Sequence, residues 1–394
     1  MKTFLACLAF TFLAVSMNVT GQDNTAEKHL RNFQVSVIPF LGSDGTEVIN
    51  NRYRVSINLL GGVTGGIEGF EAGSILNITS GSVKGIQLSG FGNAVRDDFQ
   101  GFQGAGFFNA TGGKVNAFMG AGFINITGDS FNGFAGAGFA NISGGDMIGA
   151  KGAGFANISG GGMIGFSGAG FANIAGGNSE GAQMAGFMNI SRNFSGIQAS
   201  GFLNVVSELE GIQLGIINIS DSVSKGIPVG LINIVKRGGL RQLELAFSDA
   251  SHMTVSFRLG VPYFYNIFSY SIRHFSGERF RGFGYGLGTG FSLSEEISMQ
   301  MEMHSTQLHN NFRIDSNELD LLNEARMNVS YSATGRISFF GGVVLYNQYS
   351  KDDPESGIRG REIAPSRILA ESKINGYTSR WWPGFRAGAR VSLF

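Results

Sequence analysis

The residue types best suited to chemistry lie together in one short segment, where Glu302, His304 and Ser305 are followed by His309. A serine activated by a histidine is a common nucleophile, so this segment is the first candidate for a hydrolytic site. On an extended strand, however, Glu302 and His304 share one face and Ser305 points to the other. Neither a Gly-x-Ser-x-Gly turn nor a metal-spaced pair of histidines accompanies them. We therefore assign no catalytic, cofactor-binding or metal-binding residues, and we predict that the protein is not an enzyme.

The acidic residues that could hold a metal ion stand where turns are expected. Carboxylates in turns are usually solvated, so we assign them no ligand role. A calcium-binding nonapeptide repeat would need an aspartate in every turn, and only Asp129 and Asp146 stand near those positions. The other clustered acids are Asp315, Glu318, Asp320, Asp352, Asp353 and Glu355.

An asparagine repeats with a fixed spacing through the middle of the chain. The spacing is sixteen residues at first and then shortens slightly. A period this strict predicts a repeat architecture in which each unit packs only against its neighbours. The repeating residues are Asn77, Asn93, Asn109, Asn125, Asn141, Asn157, Asn173, Asn189, Asn204, Asn218 and Asn233.

One unit of the repeat, residues 149–164, is GAKGAGFANISGGGMI, in which an extended segment is followed by a glycine-rich turn. In an up-and-down meander alternate strands run in opposite directions, so the natural repeat would be a pair of strands. Here every single unit resembles the next. This pattern favours a parallel β-solenoid over residues 61–238, with about 10–11 coils of 14–16 residues each.

Stacking such coils would align equal residues into columns. Asparagine amides above and below one another could hydrogen-bond along the axis, and the glycines would allow positive φ angles at the corners. We expect the phenylalanines to form an interior ladder and the alanines to leave room where two walls approach. The phenylalanines are Phe107, Phe123, Phe139, Phe155, Phe171 and Phe187, and the alanines are Ala105, Ala121, Ala137, Ala153, Ala169 and Ala185.

From residue 239 to the end, the repeat gives way to alternation of apolar and polar residues, which is typical of strands with one apolar face. About eight such strands fit, the smallest common size of a membrane barrel. A soluble β-sandwich would show the same alternation, but we favour a small antiparallel barrel. The segments are 243–247, 253–259, 263–273, 282–294, 297–303, 325–331, 337–349 and 385–393.

The beginning of the chain indicates export. Residues 1–22 are typical of a signal peptide, because Lys2 precedes an apolar run too short to span a bilayer comfortably. Cys7, the only cysteine, would leave with this leader, so neither a disulfide nor a thiolate metal site is expected. Lys+Arg and Asp+Glu balance at 29 each, which gives no indication of nucleic-acid binding. Residues 23–60 are expected to form an N-terminal strand and cap.

Two segments resemble known families. Residues 211–218 (GIQLGIIN) and 226–233 (GIPVGLIN) resemble the units of uncharacterised bacterial surface-repeat proteins built on Gly-x-x-x-Gly-x-x-Asn. Residues 382–394 (WPGFRAGARVSLF) are similar to the last strand of outer-membrane β-barrels. Neither resemblance implies a reaction.

These observations predict a non-enzymatic protein of the outer membrane, in a Gram-negative type of envelope. The solenoid would be a binding or structural module anchored by the barrel in outer-membrane lipid. Its expected partner is an envelope glycan, peptidoglycan or another envelope protein, and no cofactor is expected. Two alternatives stay open. If the repeats were strands of one larger barrel, the protein could be a channel or transporter. A lipid-modifying hydrolase of the outer membrane is the other.

Overall fold

The computed structural model describes residues 28–275, 278–310, 319–351, 363–365, 368–374 and 376–393. The expected signal peptide, Cys7 and the terminal Phe394 lie outside these residues. So do Asp315, Glu318, Asp352, Asp353 and Glu355. The described residues are almost entirely β-strands, and the chain divides into two compact units between Ile216 and Ile217.

From residue 28 onward, where its description begins, the first unit forms twenty-two strands and one short 3-10 helix. The helix, Gly45–Asn50, lies between β2 and β3. In chain order the strands are β1 (His29–Ile38), β2 (Leu41–Gly42), β3 (Asn51–Asn58), β4 (Gly61–Thr64), β5 (Gly66–Gly73), β6 (Leu76–Thr79), β7 (Val83–Ser89), β8 (Gly92–Val95), β9 (Phe99–Ala105), β10 (Phe108–Thr111), β11 (Val115–Ala121), β12 (Ile124–Thr127), β13 (Phe131–Ala137), β14 (Ala140–Ser143), β15 (Met147–Ala153), β16 (Ala156–Ser159), β17 (Met163–Ala169), β18 (Ala172–Ala175), β19 (Ser179–Ala185), β20 (Met188–Ile190), β21 (Asn193–Ser200) and β22 (Leu203–Leu214).

The second unit contains the last repeats and then the strands of the C-terminal region. Its strands are β23 (Ile217–Val229), β24 (Ile232–Arg237), β25 (Leu240–Ser248), β26 (Met253–Val261), β27 (Phe264–Phe275), β28 (Glu278–Ser292), β29 (Ile297–Asn310), β30 (Asp320–Ser332), β31 (Ile337–Lys351), β32 (Ala370–Ile374) and β33 (Tyr377–Ser392).

Each repeat forms one coil with a long strand and a short strand, as β15 and β16 show. Long strands pair in parallel with the long strands of neighbouring coils, and short strands with short strands, so Gly133 lies beside Gly149 and Asn141 beside Asn157. The two walls of the solenoid are therefore two parallel sheets. The predicted parallel β-solenoid is confirmed, with roughly 12 turns in place of the expected 10–11.

The asparagines form a buried ladder inside the solenoid. The Asn141 Nδ2 atom donates to Asn157 Oδ1 at 2.9 Å and to the Gly152 carbonyl of the next long strand, also at 2.9 Å. The same two bonds recur in coil after coil. Each amide thus links neighbouring coils and also joins the two walls. These bonds satisfy polar atoms that would otherwise be buried without partners. The predicted hydrogen bonding along the axis is confirmed.

The repeating phenylalanines stack in register, but they lie on the outside, so the prediction of an interior ladder is wrong. Successive ring centroids lie 4.8–5.1 Å apart, and 36–47% of each residue's surface is exposed. Each ring occupies the corner between a long and a short strand, while asparagine, glutamine and hydroxyl side chains fill many of the inward positions. This corner column consists of Phe91, Phe107, Phe123, Phe139, Phe155, Phe171, Phe187 and Phe202.

Two further outward columns are apolar. The wall column runs along the long strands, where most of its residues are exposed, and the isoleucine column runs along the short strands, where nearly all are partly exposed. The wall column is Ile86, Phe102, Phe118, Phe134, Ala150, Phe166, Ala182, Ile197 and Ile212. The isoleucine column is Ile78, Ala94, Ala110, Ile126, Ile142, Ile158, Ile174, Ile190 and Val205.

The glycines of each coil serve two purposes, and positive φ does not occur at the corners. Gly149 has a φ angle of 99° in the middle of a long strand, a conformation that favours glycine. The corner residue Gly154 is needed for a different reason. A Cβ atom there would lie 2.0 Å from the carbonyl oxygen of Gly138 in the neighbouring coil. The close approach of successive corners is therefore what requires glycine at this position.

The C-terminal strands form a closed antiparallel barrel of eight strands, β25 to β31 and β33. Closure is made by β25 and β33, where Leu245 lies opposite Ala389 and Gln242 opposite Ser392. The short β32 adds only to the first part of β33. The predicted eight-stranded barrel is confirmed, and the sandwich alternative is excluded. Because the strand number is even, the first strand begins at the same end of the barrel where the last strand finishes.

Candidate functional site

Much of the outer surface of the barrel is apolar, because the alternating apolar residues of its strands point outward. The residues named below expose 41–72% of their surface. A short row of polar residues, Ser305, Asn323 and Asn347, also points outward, and its members hydrogen-bond to one another. An apolar belt of this size is unusual on a protein that meets water and marks a contact surface. Its members include Leu243, Leu245, Phe247, Phe283, Met301, Met303, Met327, Val329, Tyr331, Phe339, Val343, Trp381, Phe385 and Val391.

The interior of the barrel is charged. Glu302, on β29, accepts hydrogen bonds from Arg258 on β26, from the Tyr265 hydroxyl at 3.0 Å and from Arg386 Nη1 at 3.2 Å. A buried carboxylate is tolerated only when it is paired and hydrogen-bonded. These partners come from β26, β27 and β33, so the network ties distant parts of the barrel wall to one another.

A second carboxylate extends this network. Glu244 accepts from Arg386 Nη2 at 2.6 Å and from Arg390 Nε at 2.7 Å. Arg390 also donates from Nη1 to Ser330 at 2.6 Å, and its guanidinium carbon lies 4.0 Å from the centre of the Phe340 ring. Charged side chains thus occupy the lumen, as expected for a small barrel that is filled by its own residues.

His304 lies inside the barrel, next to a serine that the sequence analysis missed. Its Nε2 atom is 2.8 Å from Ser269 Oγ, and its Nδ1 atom is 2.9 Å from Arg326 Nη2. A guanidinium can only donate, so Nδ1 is the acceptor and Nε2 carries the proton that it donates to Ser269. An imidazole in this tautomer cannot remove the serine proton. The pair therefore lacks the geometry of an activated nucleophile.

The four candidate residues divide between the two faces of β29. Glu302 and His304 point into the barrel and are buried, while Ser305 and His309 lie on the outward side and are half-buried. Ser305 Oγ donates to Asn323 Oδ1 at 2.8 Å on the neighbouring strand. The division follows the strand alternation, as expected. Ser269 could have been placed inward by the same alternation in β27, but nothing in the sequence pairs it with His304.

The last coil of the solenoid contacts the outward face of the barrel within the second unit. Asn233 Nδ2 donates to Asn266 Oδ1 at 2.6 Å, and Asn266 Nδ2 donates to the Gly230 carbonyl at 2.9 Å. Asn266 shares its side of β27 with Phe268, which is outward, yet Asn266 is fully buried. Phe257 on β26 is also only partly exposed. The last repeat therefore covers part of the barrel's outer surface.

Among the residues that the structure describes, no three His, Cys, Asp or Glu side chains are grouped so that they could hold a metal ion. None of the helices there is long and apolar enough to cross a membrane. Comparisons with known protein families, with curated proteins and with solved structures gave no match to this chain. The functional argument therefore rests on the geometry of the barrel and the solenoid.

Proposed function

We propose that this chain is a non-enzymatic protein of the outer membrane, in which the small barrel is a lipid anchor and the solenoid is a binding or structural module. The observation that carries the proposal is the reversed polarity of the barrel. Its outer surface is apolar around Met327 and Phe385, and its interior is ionic around Glu302. In water this arrangement would expose the apolar belt, whereas in a bilayer the belt would contact acyl chains.

Strand length and strand number support the same proposal. A transmembrane β-strand needs about 9–11 residues, and the eight barrel strands have between 9 and 16. Closure between β25 and β33 leaves no unpaired sheet edge in the barrel wall, as the hydrocarbon layer requires. The expected signal peptide would bring such a chain to the envelope.

An anchor is favoured over the two alternatives. The channel alternative required the repeats to be strands of one large barrel, but they form a solenoid. The ion pairs of Glu244 and Glu302 also occupy the lumen. The hydrolase alternative would need an activated serine, and the Arg326 contact holds His304 in the wrong tautomer for Ser269. For the solenoid, an envelope glycan, peptidoglycan or another envelope protein remains the proposed partner.

Fractionation of cells that express the full chain with its leader tests the proposal. We expect the protein in the outer-membrane fraction, resistant to extraction with alkaline carbonate, and no large stable conductance in planar bilayers. Recovery as a soluble periplasmic protein would contradict the anchor. A large, stable single-channel conductance would favour the channel. Loss of lipid A modification in a His304→Ala variant, with normal assembly of that variant, would favour the hydrolase.

A further inference from the structure

The solenoid carries an apolar surface that the anchor proposal does not explain. The corner column, the wall column and the isoleucine column contain no polar side chain in any coil. Steps of 4.8–5.1 Å between rings make the corner column about 35 Å long. Continuous exposed apolar surfaces of this extent mark an interaction with a protein or a membrane.

Many charged residues of the coils lie at the edge opposite the corner column, while Lys84, Glu180 and Glu210 lie exposed on the long strands, two residues before the wall column. Asp97, Lys114, Asp129, Asp146 and Arg192 lie in the turns that connect a short strand to the next long strand. These turns form the edge opposite the corner column. The side of each coil around the corner column is therefore uncharged, which fits a partner without charge.

The backbone amides at the corner column have their partners within the solenoid. The Phe123 amide donates to the Phe107 carbonyl at 2.9 Å, and the Phe139 amide to the Phe123 carbonyl at 2.8 Å. The Gly122 amide likewise donates to the Ala105 carbonyl. Hydrocarbon requires that backbone polar groups be satisfied internally, and the amides of these corners meet that condition.

The packing of the rings argues against a glycan on this surface. Phe139 and Phe155 are parallel within 1°, with centroids 4.9 Å apart, and Phe155 and Phe171 have the same geometry. Neighbouring rings therefore cover one another's faces and leave only their apolar edges exposed. A sugar would need an open ring face for stacking and polar side chains for its hydroxyl groups. The three columns offer neither.

The last coil, which belongs to the second unit, contacts the outward surface of the barrel. Through Asn233 and Asn266 it contacts the outward face of β27, the face that the proposed function places against lipid. Leu231, the apolar corner residue of this coil, keeps 48% of its surface exposed. Within the second unit, this exposed apolar corner residue thus lies next in sequence to Gly230, whose carbonyl accepts a hydrogen bond from Asn266.

We propose that the three columns of the solenoid contact the acyl chains of the membrane lipid. This inference rests in part on the proposed location of the barrel, through the contact of the last coil. Lipid fits better than a second copy of the chain, because the columns occupy both walls and the corner between them. A folded partner would cover one of these sides, whereas fluid acyl chains can cover all three.

Nitroxide accessibility in the full chain tests this inference. In a Cys7→Ser background, single cysteines would be introduced as Phe139→Cys in the corner column and Ala150→Cys in the wall column. Ala150→Cys adds little volume, so it keeps the test valid if loss of a stacked ring harms folding. Lys114→Cys on the charged edge is the aqueous control, and Met327→Cys on the barrel belt is the lipid control. The labelled proteins would be reconstituted in phosphatidylcholine vesicles.

We expect oxygen to relax the labels at positions 139 and 150 as strongly as at 327, and a water-soluble nickel chelate to relax the label at 114. If 139 and 150 respond to nickel while 327 responds to oxygen, the lipid contact is wrong and the anchor stands. If 327 responds to nickel while 139 and 150 respond to oxygen, the anchor is wrong and the lipid contact stands. Dipolar broadening between labels at 139 on two chains would assign the surface to a second copy and overturn the inference.

Discussion

Asn233 donates from Nδ2 to Oδ1 of Asn266 at 2.6 Å, which joins the asparagine ladder of the last repeats to a barrel strand. Asn218 contributes the preceding rung, with a bond of 2.8 Å to Asn233. On the outward face of the barrel, which we propose to contact lipid, an unpaired amide would be costly. Here the amide is satisfied by the repeat, so the last coil and the barrel depend on each other. We infer that direct contacts fix the last coil to the barrel within the second unit, and that the two are not joined by a flexible linker.

The asparagine ladder should be required for the stability of the solenoid. Replacing Asn141 and Asn157 by alanine leaves buried carbonyl groups without their donors, which should cost on the order of 1–3 kcal/mol per site. Urea unfolding and limited proteolysis of the repeats would measure the loss. Asn132, which is exposed on a long strand, provides the control. If Asn132→Ala destabilises the solenoid as much as the double variant does, the asparagine ladder is not what stabilises the stacked coils.

Two glycines of the same coil should respond differently to alanine. At Gly154 a Cβ atom would lie 2.0 Å from the Gly138 carbonyl oxygen, while at Gly152 it would meet no atom within 4 Å. Gly154→Ala should therefore destabilise the solenoid by about 1–3 kcal/mol, since neighbouring corners must separate. Gly152→Ala should be close to neutral. Equal thermal unfolding of the two variants would contradict the close approach seen at the corners.

A buried carboxyl should make the stability of the first coils depend on pH. Glu71 is fully buried, and burial raises its pKa to about 6 from 4.5, although Gln87, Asn58, Ser56 and Thr79 are near enough to hydrogen-bond it. The folded state therefore holds this proton more tightly than the unfolded state. The stability that the proton contributes is complete below pH 4.5 and is lost as the pH rises through about 6. The change should be on the order of 2 kcal/mol.

The variant Glu71→Gln tests this dependence. It cannot titrate, so urea midpoints measured from pH 4.5 to 7 should become nearly constant in that window. Glu68→Gln is the control, because Glu68 is partly exposed and pairs with Arg52 on the outer side. If the wild type and Glu71→Gln lose stability equally over this range, the titrating group lies elsewhere.

A charged residue introduced into the apolar belt of the barrel should lower the stability of the barrel only if the belt faces lipid. Met327 points outward from the middle of β30, so Met327→Arg should destabilise the barrel in vesicles by about 2–4 kcal/mol. Ala333→Arg, in the exposed turn after the same strand, should have little effect. Urea titration of folding in vesicles compares the two. Equal midpoints would indicate that Met327 meets water.

Much of the architecture could be predicted from spacing alone. The return of Asn141 sixteen residues later as Asn157 indicates that equal residues stack, and only a parallel solenoid stacks every unit on the next. The alternation of Glu302 and His304 with Met301 and Met303 likewise indicates a strand with one polar face. Both features follow from backbone periodicity, which a sequence displays directly.

The inner and outer sides of the solenoid could not be derived in this way. Phe139 was expected inside because burial of large apolar groups normally stabilises a protein. In the structure Asn141 and Gln103 are inside, because their amides hydrogen-bond to the amides of Asn157 and Gln87 in neighbouring coils. The contact between Ser269 and His304 could not be predicted from the sequence either, since it depends on which side chains meet inside the lumen.

The most direct test of the barrel anchor is the electrophoretic mobility of the full-length protein from outer-membrane fractions, compared without and with boiling in detergent. A closed membrane barrel resists detergent until it is heated, so the unboiled protein should migrate faster than the boiled protein. The Met327→Arg variant should show less of the fast form. A chain that migrates identically before and after boiling, and is recovered from the soluble fraction, would contradict the account.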